Sequence, residues 1–157
     1  MKIGIIGHGE DKFTEKSKIE AKELLTSILI DFSLNCLKNK KIEPIYFVSG
    51  HSPVGGIDIY GEEESKRLGF LLDLKIPKQN IWDAEYGFKQ RNLDIAKDSD
   101  ILHVILVDKY PKGYNGMRFN KCYHCHTNDH MKSGACWTAK EARKLGKEVV
   151  YHIIENE

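Results

Sequence analysis

Apolar positions along the chain switch repeatedly between short continuous runs and helical spacing. That alternation predicts an α/β domain built on a mainly parallel sheet. Lys2–Gly7 is a continuous apolar run suited to burial on both faces, and is predicted as the first strand. After a polar loop, Ser17-Lys18-Ile19-Glu20 has the form of a capping box. Ala21, Leu25, Ile28, Phe32 and Cys36 then repeat at helical spacing, which makes Cys36 a core thiol. A second strand is predicted over 45–49, and a second helix over 60–74 with Leu68, Leu71 and Leu72 inward and Pro77 as its stop. Ile81-Trp82-Asp83 reads as a short third strand and 88–97 as the third helix. Ile101–Val107 is predicted as the fourth strand, 137–145 as the last helix, closed by Gly146, and 149–154 as the fifth strand. Residues 108–135 form an irregular stretch longer than compact domains usually tolerate without a local organiser.

That organiser is legible in the same stretch. Cys122, Cys125, His130 and Cys136 read C-x2-C-x4-H-x5-C, one residue longer than a CCHC zinc knuckle. Three thiolates and one imidazole make a closed tetrahedral shell of the structural-zinc kind, whereas a catalytic zinc keeps one position open. His124, between two ligand cysteines, and His126, beside Cys125, are rivals for the imidazole position; His130 fits best. Cys122-Tyr123-His124-Cys125-His126 also spells the attachment pattern of c-type haem, a reaction of compartments outside the cytoplasm.

Length and charge narrow the rest. A chain of 157 residues is one domain, with 108–136 as an inserted zinc-binding loop. A formal net charge of +1 implies no polyanionic partner, and no apolar run reaches the roughly 20 residues of a membrane span. The early Gly-His-Gly-Glu-Asp leaves no apolar signal core, so a cytoplasmic protein is expected.

Ligands of open α/β sheets sit at the carboxyl ends of the strands. There the chain offers Gly7-His8-Gly9, Ser49-Gly50-His51 and, after the fourth strand, Ser133-Gly134. Glycine lets backbone approach a ligand, and free amides at a helix start attract phosphate. Asp58 could instead simply cap a helix beginning near Ile59.

Ser49-Gly50-x4-Gly55-Gly56-Ile57-Asp58, followed by Glu62-Glu63 and Lys66-Arg67-Leu68-Gly69, resembles the SG-x-GGAD…AEE-A-x-x-G signature of the SLOG superfamily (Smf/DprA and Lonely Guy proteins). Arg91-Asn92-x3-Ala96-x2-Ser99-Asp100 and Thr138-x-x-Glu141 resemble further segments of its YspA/YpsA-like branch. The resemblance implies a Rossmann-like three-layer sandwich with five strands. It also implies a nucleotide or nucleotide-derived ligand, for which the strand-end loops and these motifs together offer Gly7, His8, Gly9, Ser49, Gly50, Gly55, Gly56, Asp58, Asn92, Ser133, Gly134 and Thr138. As an alternative it implies nucleoside 5′-monophosphate phosphoribohydrolase chemistry, with Arg91 and Glu141 acting at the ribose, and it leaves a homodimer open. Trp137 stands where that family keeps glycine, which makes binding the primary expectation. A further alternative is single-stranded nucleic acid on Tyr110, Tyr114, Arg118, Phe119, Lys121 and Tyr123, where aromatics alternate with cations.

Overall fold

The computed structural model describes residues 1–157. Five parallel strands, β1 (Lys2–Gly7), β2 (Tyr46–Ser49), β3 (Leu71–Leu74), β4 (Ile101–Val107) and β5 (Glu148–Ile154), form one sheet in the order β3-β2-β1-β4-β5. Helices α1 (Glu15–Lys38) and α2 (Ile57–Arg67) cover one face, and α3 (Phe88–Asp98) and α4 (Gly134–Lys144) the other. This is the expected three-layer α/β sandwich. Ile3, Ile5 and Ile105 point into the first layer with Leu25, Leu29 and Phe47; Ile6, Val104 and Leu106 point into the second with Ile95, Ala139 and Ala142. Strand side chains alternate between two buried faces, which is why β1 and β4 read as uninterrupted apolar runs.

Four local expectations are corrected. The capping box lies one turn earlier: Thr14 is the N-cap, its hydroxyl takes the Ser17 N–H (3.1 Å), and the Ser17 hydroxyl takes the Thr14 N–H (2.9 Å). The second helix ends at Arg67 instead of running to residue 74. Gly69 adopts φ +84° and closes a Schellman motif through Gly69 N–H to Lys66 and Phe70 N–H to Ser65. The freed leucines then form β3, so the third strand is Leu71–Leu74 and not Ile81-Trp82-Asp83. Those three residues lie in a loop whose Asp83 carboxylate accepts the N–H groups of Glu85 and Tyr86. Finally, Asp58 sits inside the first turn of α2, which Gly56 caps at φ +82°.

Sheet order reverses between β1 and β4, which opens a crevice at their carboxyl ends. No helix is long and apolar enough to cross a membrane.

Candidate ligand crevice and metal centre

The crevice has a volume of about 440 Å³. Its floor is the β1–loop segment Gly7-His8-Gly9, where a side chain on Gly7 would strike the Ile105 carbonyl at 2.0 Å. Gly56 lets the next loop close against that floor, since a Cβ there would meet the His8 oxygen at 2.4 Å. The two loops are joined by Glu10 N–H to Val54 (3.3 Å) and Ile57 N–H to His8 (3.2 Å).

His8 is buried and fully used. Its Nδ1 accepts the Val107 N–H (3.1 Å) and its Nε2 donates to the Lys132 carbonyl (3.3 Å). Burial pushes its pKa down to about 4, outweighing the backbone carbonyl that favours a proton, so the ring is neutral at pH 7. It ties β1 to β4 and to the long loop, while its edge still lines the crevice.

Arg91, on the first turn of α3, crosses the crevice wall. Its Nη1 donates to the Gly50 carbonyl and its Nε to Asn92 Oδ1, both at 2.7 Å. A Cβ on Gly50 would meet Nη1 at 2.8 Å, so this glycine makes room for the guanidinium. Asp58 lies nearby and accepts the Ser52 N–H (3.2 Å). Burial raises its pKa to about 6, against the opposing pull of Arg91 and of that N–H.

At the far wall α4 begins. Ser133 caps it by accepting the Ala135 N–H (3.1 Å), and Gly134, Ala135 and Thr138 line the crevice. The Gly134 N–H takes no partner within the protein. Lys132 and Lys12, the latter also paired with Asp11 (3.1 Å), line the crevice with Arg91, so three cations and one carboxylate, Asp58, border the space. Tyr110, Tyr114, Met117 and Phe119 of the long loop close the opening. Tyr110 and Tyr114 stack at 4.6 Å with an interplanar angle of 5°; Arg118 lies over both rings and Lys12 over Tyr114. The aromatic run is legible as one segment of sequence, but Lys12, Arg91 and Lys132 lie dozens of residues apart, and no short motif joins them.

The structure thus gathers Gly7, His8, Gly9, Gly55, Asp58, Arg91, Asn92, Ser133, Gly134 and Thr138 around one space. Ser49, Gly50 and Gly56 stand behind it: the Ser49 hydroxyl donates to buried Glu62 (2.7 Å), which also holds His51 Nδ1 (2.9 Å). Glu141 is not brought to the crevice. It lies beyond Thr138 on α4 and pairs with Lys144 (2.9 Å), so Arg91 and Glu141 do not share a site in this structure.

The four proposed ligands do converge. One donor atom from each of Cys122, Cys125, His130 and Cys136 lies within 4.8 Å of the others, and His130 Nε2 is 3.4 Å from Cys136 Sγ. A tetrahedral ion with bonds of about 2.3 Å needs sulfur–sulfur edges of about 3.8 Å, a small contraction from this arrangement. His130 Nδ1 contacts Asp129 Oδ1 (2.8 Å), the outer partner that orients a metal-binding imidazole. Burial raises the Cys122 thiol, but N–H groups of Cys125 and His124 directed at it, with His130 and Cys136, bring it down to about 7. Burial pushes Cys136 strongly upward, as do the neighbouring Cys122 and Cys125. Three sulfurs at this spacing repel one another when ionised, and a divalent cation removes that repulsion. The donor set fits one. His124 instead packs on Tyr123 (4.5 Å), and neither it nor His126 belongs to the converging set, which leaves His130 as the imidazole.

No family model and no curated protein matches the sequence. Among solved structures, the molybdenum cofactor carrier protein MCP from Chlamydomonas reinhardtii is similar, with a TM-score of 0.56 over 96% of this chain and 74% of that one. The sequences are 18% identical. What the two share is a Rossmann-like fold.

Proposed function

We propose that this chain is a single SLOG-like domain that binds a nucleotide or nucleotide derivative in the crevice, with a zinc ion at Cys122, Cys125, His130 and Cys136 holding one wall. The observation that carries the reading is the meeting, in one space, of two glycine loops, the start of α4, three cations and an aromatic wall. Phosphate is expected against Lys12, Lys132 and the Gly134 amide, where charge and helix dipole act together. A planar base is expected on the Tyr110–Tyr114 side. Zinc, when bound, supplies structural cross-linking: Cys136 is in the first turn of α4, so the ion joins the long loop to the helix start that faces the ligand. A reduced thiol cluster of this kind suits the cytoplasm.

Calorimetric titration of zinc-loaded protein with nucleoside mono- and diphosphates and ADP-ribose tests the reading. Saturable binding that weakens at least tenfold in Lys132→Ala supports it; no heat with any of these ligands removes it. The molybdenum cofactor belongs in the same panel, because the solved protein that shares this fold carries it. Hydrolysis is followed alongside as release of free base. Equal release by the wild type and Glu141→Ala removes that carboxylate from the chemistry.

A further inference from the structure

The two edges of the sheet are built differently. At β3 the edge is four residues long, and its Asp73 is engaged by Lys2 and Lys75 at 2.9 Å, charges of the kind that discourage further strand pairing. At β5 the edge is seven residues long and reads Glu-Val-Val-Tyr-His-Ile-Ile, with no proline, bulge or lysine within it. Asp108 N–H donates to the Ile154 carbonyl (3.0 Å), which fixes the ladder: even-numbered residues of β5 turn their amides to β4. Val149, Tyr151 and Ile153 therefore turn theirs outward, and no backbone group elsewhere in the chain pairs with them. Ile153 is 37% exposed, though apolar exposure alone does not single out this edge, since Leu71 (48%) and Leu74 (38%) of β3 are exposed as well; what sets β5 apart is its length and its uncharged seam.

We propose that β5 pairs antiparallel with β5 of a second copy, about a two-fold axis at Tyr151, extending one sheet across two protomers. This register matches outward amides to outward amides, Tyr151 to itself and Val149 to Ile153. Val149 and Tyr151 face the α4 side, so the pairing covers the exposed Ile153 with the partner's Val149. Just outside the strand it sets Lys147 opposite the partner's Glu155, twice by symmetry. Glu155 has no ion pair within its own chain, and Lys147 Nζ rests only on the Lys97 carbonyl (3.0 Å). The charges therefore select antiparallel pairing in this register. Tyr151 further links the edge to the cysteine cluster, since its hydroxyl lies 3.7 Å from Cys125 Sγ. The axis thus runs between two such clusters.

Sedimentation equilibrium of the full chain at micromolar concentration tests the proposal. The wild type sediments at twice the chain mass. Ile153→Lys places a charge in the seam and gives monomer. Val149→Pro removes one outward N–H without breaking the β4 ladder, and also gives monomer with unchanged circular dichroism. Lys147→Glu and Glu155→Lys each raise the dimer dissociation constant about tenfold, and the double swap returns it to within about twofold of wild type. A monomeric wild type overturns the proposal. So does a dimer that survives both Ile153→Lys and Val149→Pro, which would assign pairing to another face.

Discussion

Nδ1 of His8 accepts the backbone N–H of Val107 at 3.1 Å, while the opposite ring nitrogen donates to the Lys132 carbonyl. One imidazole thus fastens the end of β1 to the end of β4 and to the loop that carries the cysteine cluster. Only the neutral ring with its proton on Nε2 satisfies both partners. A residue placed by sequence in a ligand loop turns out to set the shape of the crevice floor.

Because burial lowers the His8 pKa from 6.5 to about 4, the unfolded chain binds the proton more readily. Stability is complete above pH 6.5 and falls as the pH drops toward 4, by about 3 kcal/mol from this group. Replacing it with glutamine costs about 1–2 kcal/mol at pH 7.5 through lost hydrogen bonding, and flattens the decline below pH 6.5. Urea midpoints from pH 7.5 to 4.5 measure both; parallel curves for the two proteins would clear His8 of the acid response.

Asp58 has the opposite sign. Its pKa is raised from 3.8 to about 6 in the folded state, so above pH 6 its ionised form opposes folding, and the penalty fades as the pH falls toward 4. Asp58→Asn is expected to stabilise the ligand-free protein by about 1–3 kcal/mol at pH 7.5 and by almost nothing at pH 4. Thermal melts at the two pH values check it. A destabilised variant at pH 7.5 would mean that the hydrogen bond from Ser52 and the attraction of the Arg91 charge outweigh the carboxylate's desolvation.

Metal removal acts on one wall of the crevice before the rest. With zinc bound at the cluster, elemental analysis gives about one ion per chain. A strong chelator or Cys136→Ser lowers the melting temperature by several degrees or more, in keeping with the energies of structural zinc sites. Amide exchange should rise first in residues 119–138, while β1 and β2 stay protected. Uniform exchange across the chain would contradict a local role.

Gly56→Ala is expected to cost about 2–4 kcal/mol, because it combines a left-handed φ of +82° with a Cβ 2.4 Å from the His8 oxygen. The loss shows as a shifted denaturant midpoint. Gly134→Ala, where nothing lies within 4 Å of a new Cβ, should leave the midpoint nearly unchanged.

Much of the architecture could be read from the chain because both faces of β1 and β4 are buried. Their bounds, Lys2–Gly7 and Ile101–Val107, emerge without adjustment. The error at residues 68–74 has a physical cause. Leu68, Leu71 and Leu72 are spaced as a helix face, yet Gly69 takes φ +84° and ends the helix between them, and β3 is an edge strand with Leu71 half exposed. Ile81 and Trp82 mimic a strand by composition but lie exposed in a turn. The cysteine cluster was legible because its ligands fall close together in sequence. The cationic side of the crevice was not, because Lys12 and Lys132 come from opposite ends of the chain and meet only through the sheet.

The stacked pair of Tyr110 and Tyr114 bears on how tightly anything can be held here. Their rings are already parallel, with the Arg118 guanidinium near both, before a guest arrives. A flat molecule sliding onto that surface would freeze few additional rotors, so little of its adhesion is lost to immobilising the host. Discrimination among guests then falls to outline and charge, and a rigid aromatic guest should outlast a floppy one of equal charge.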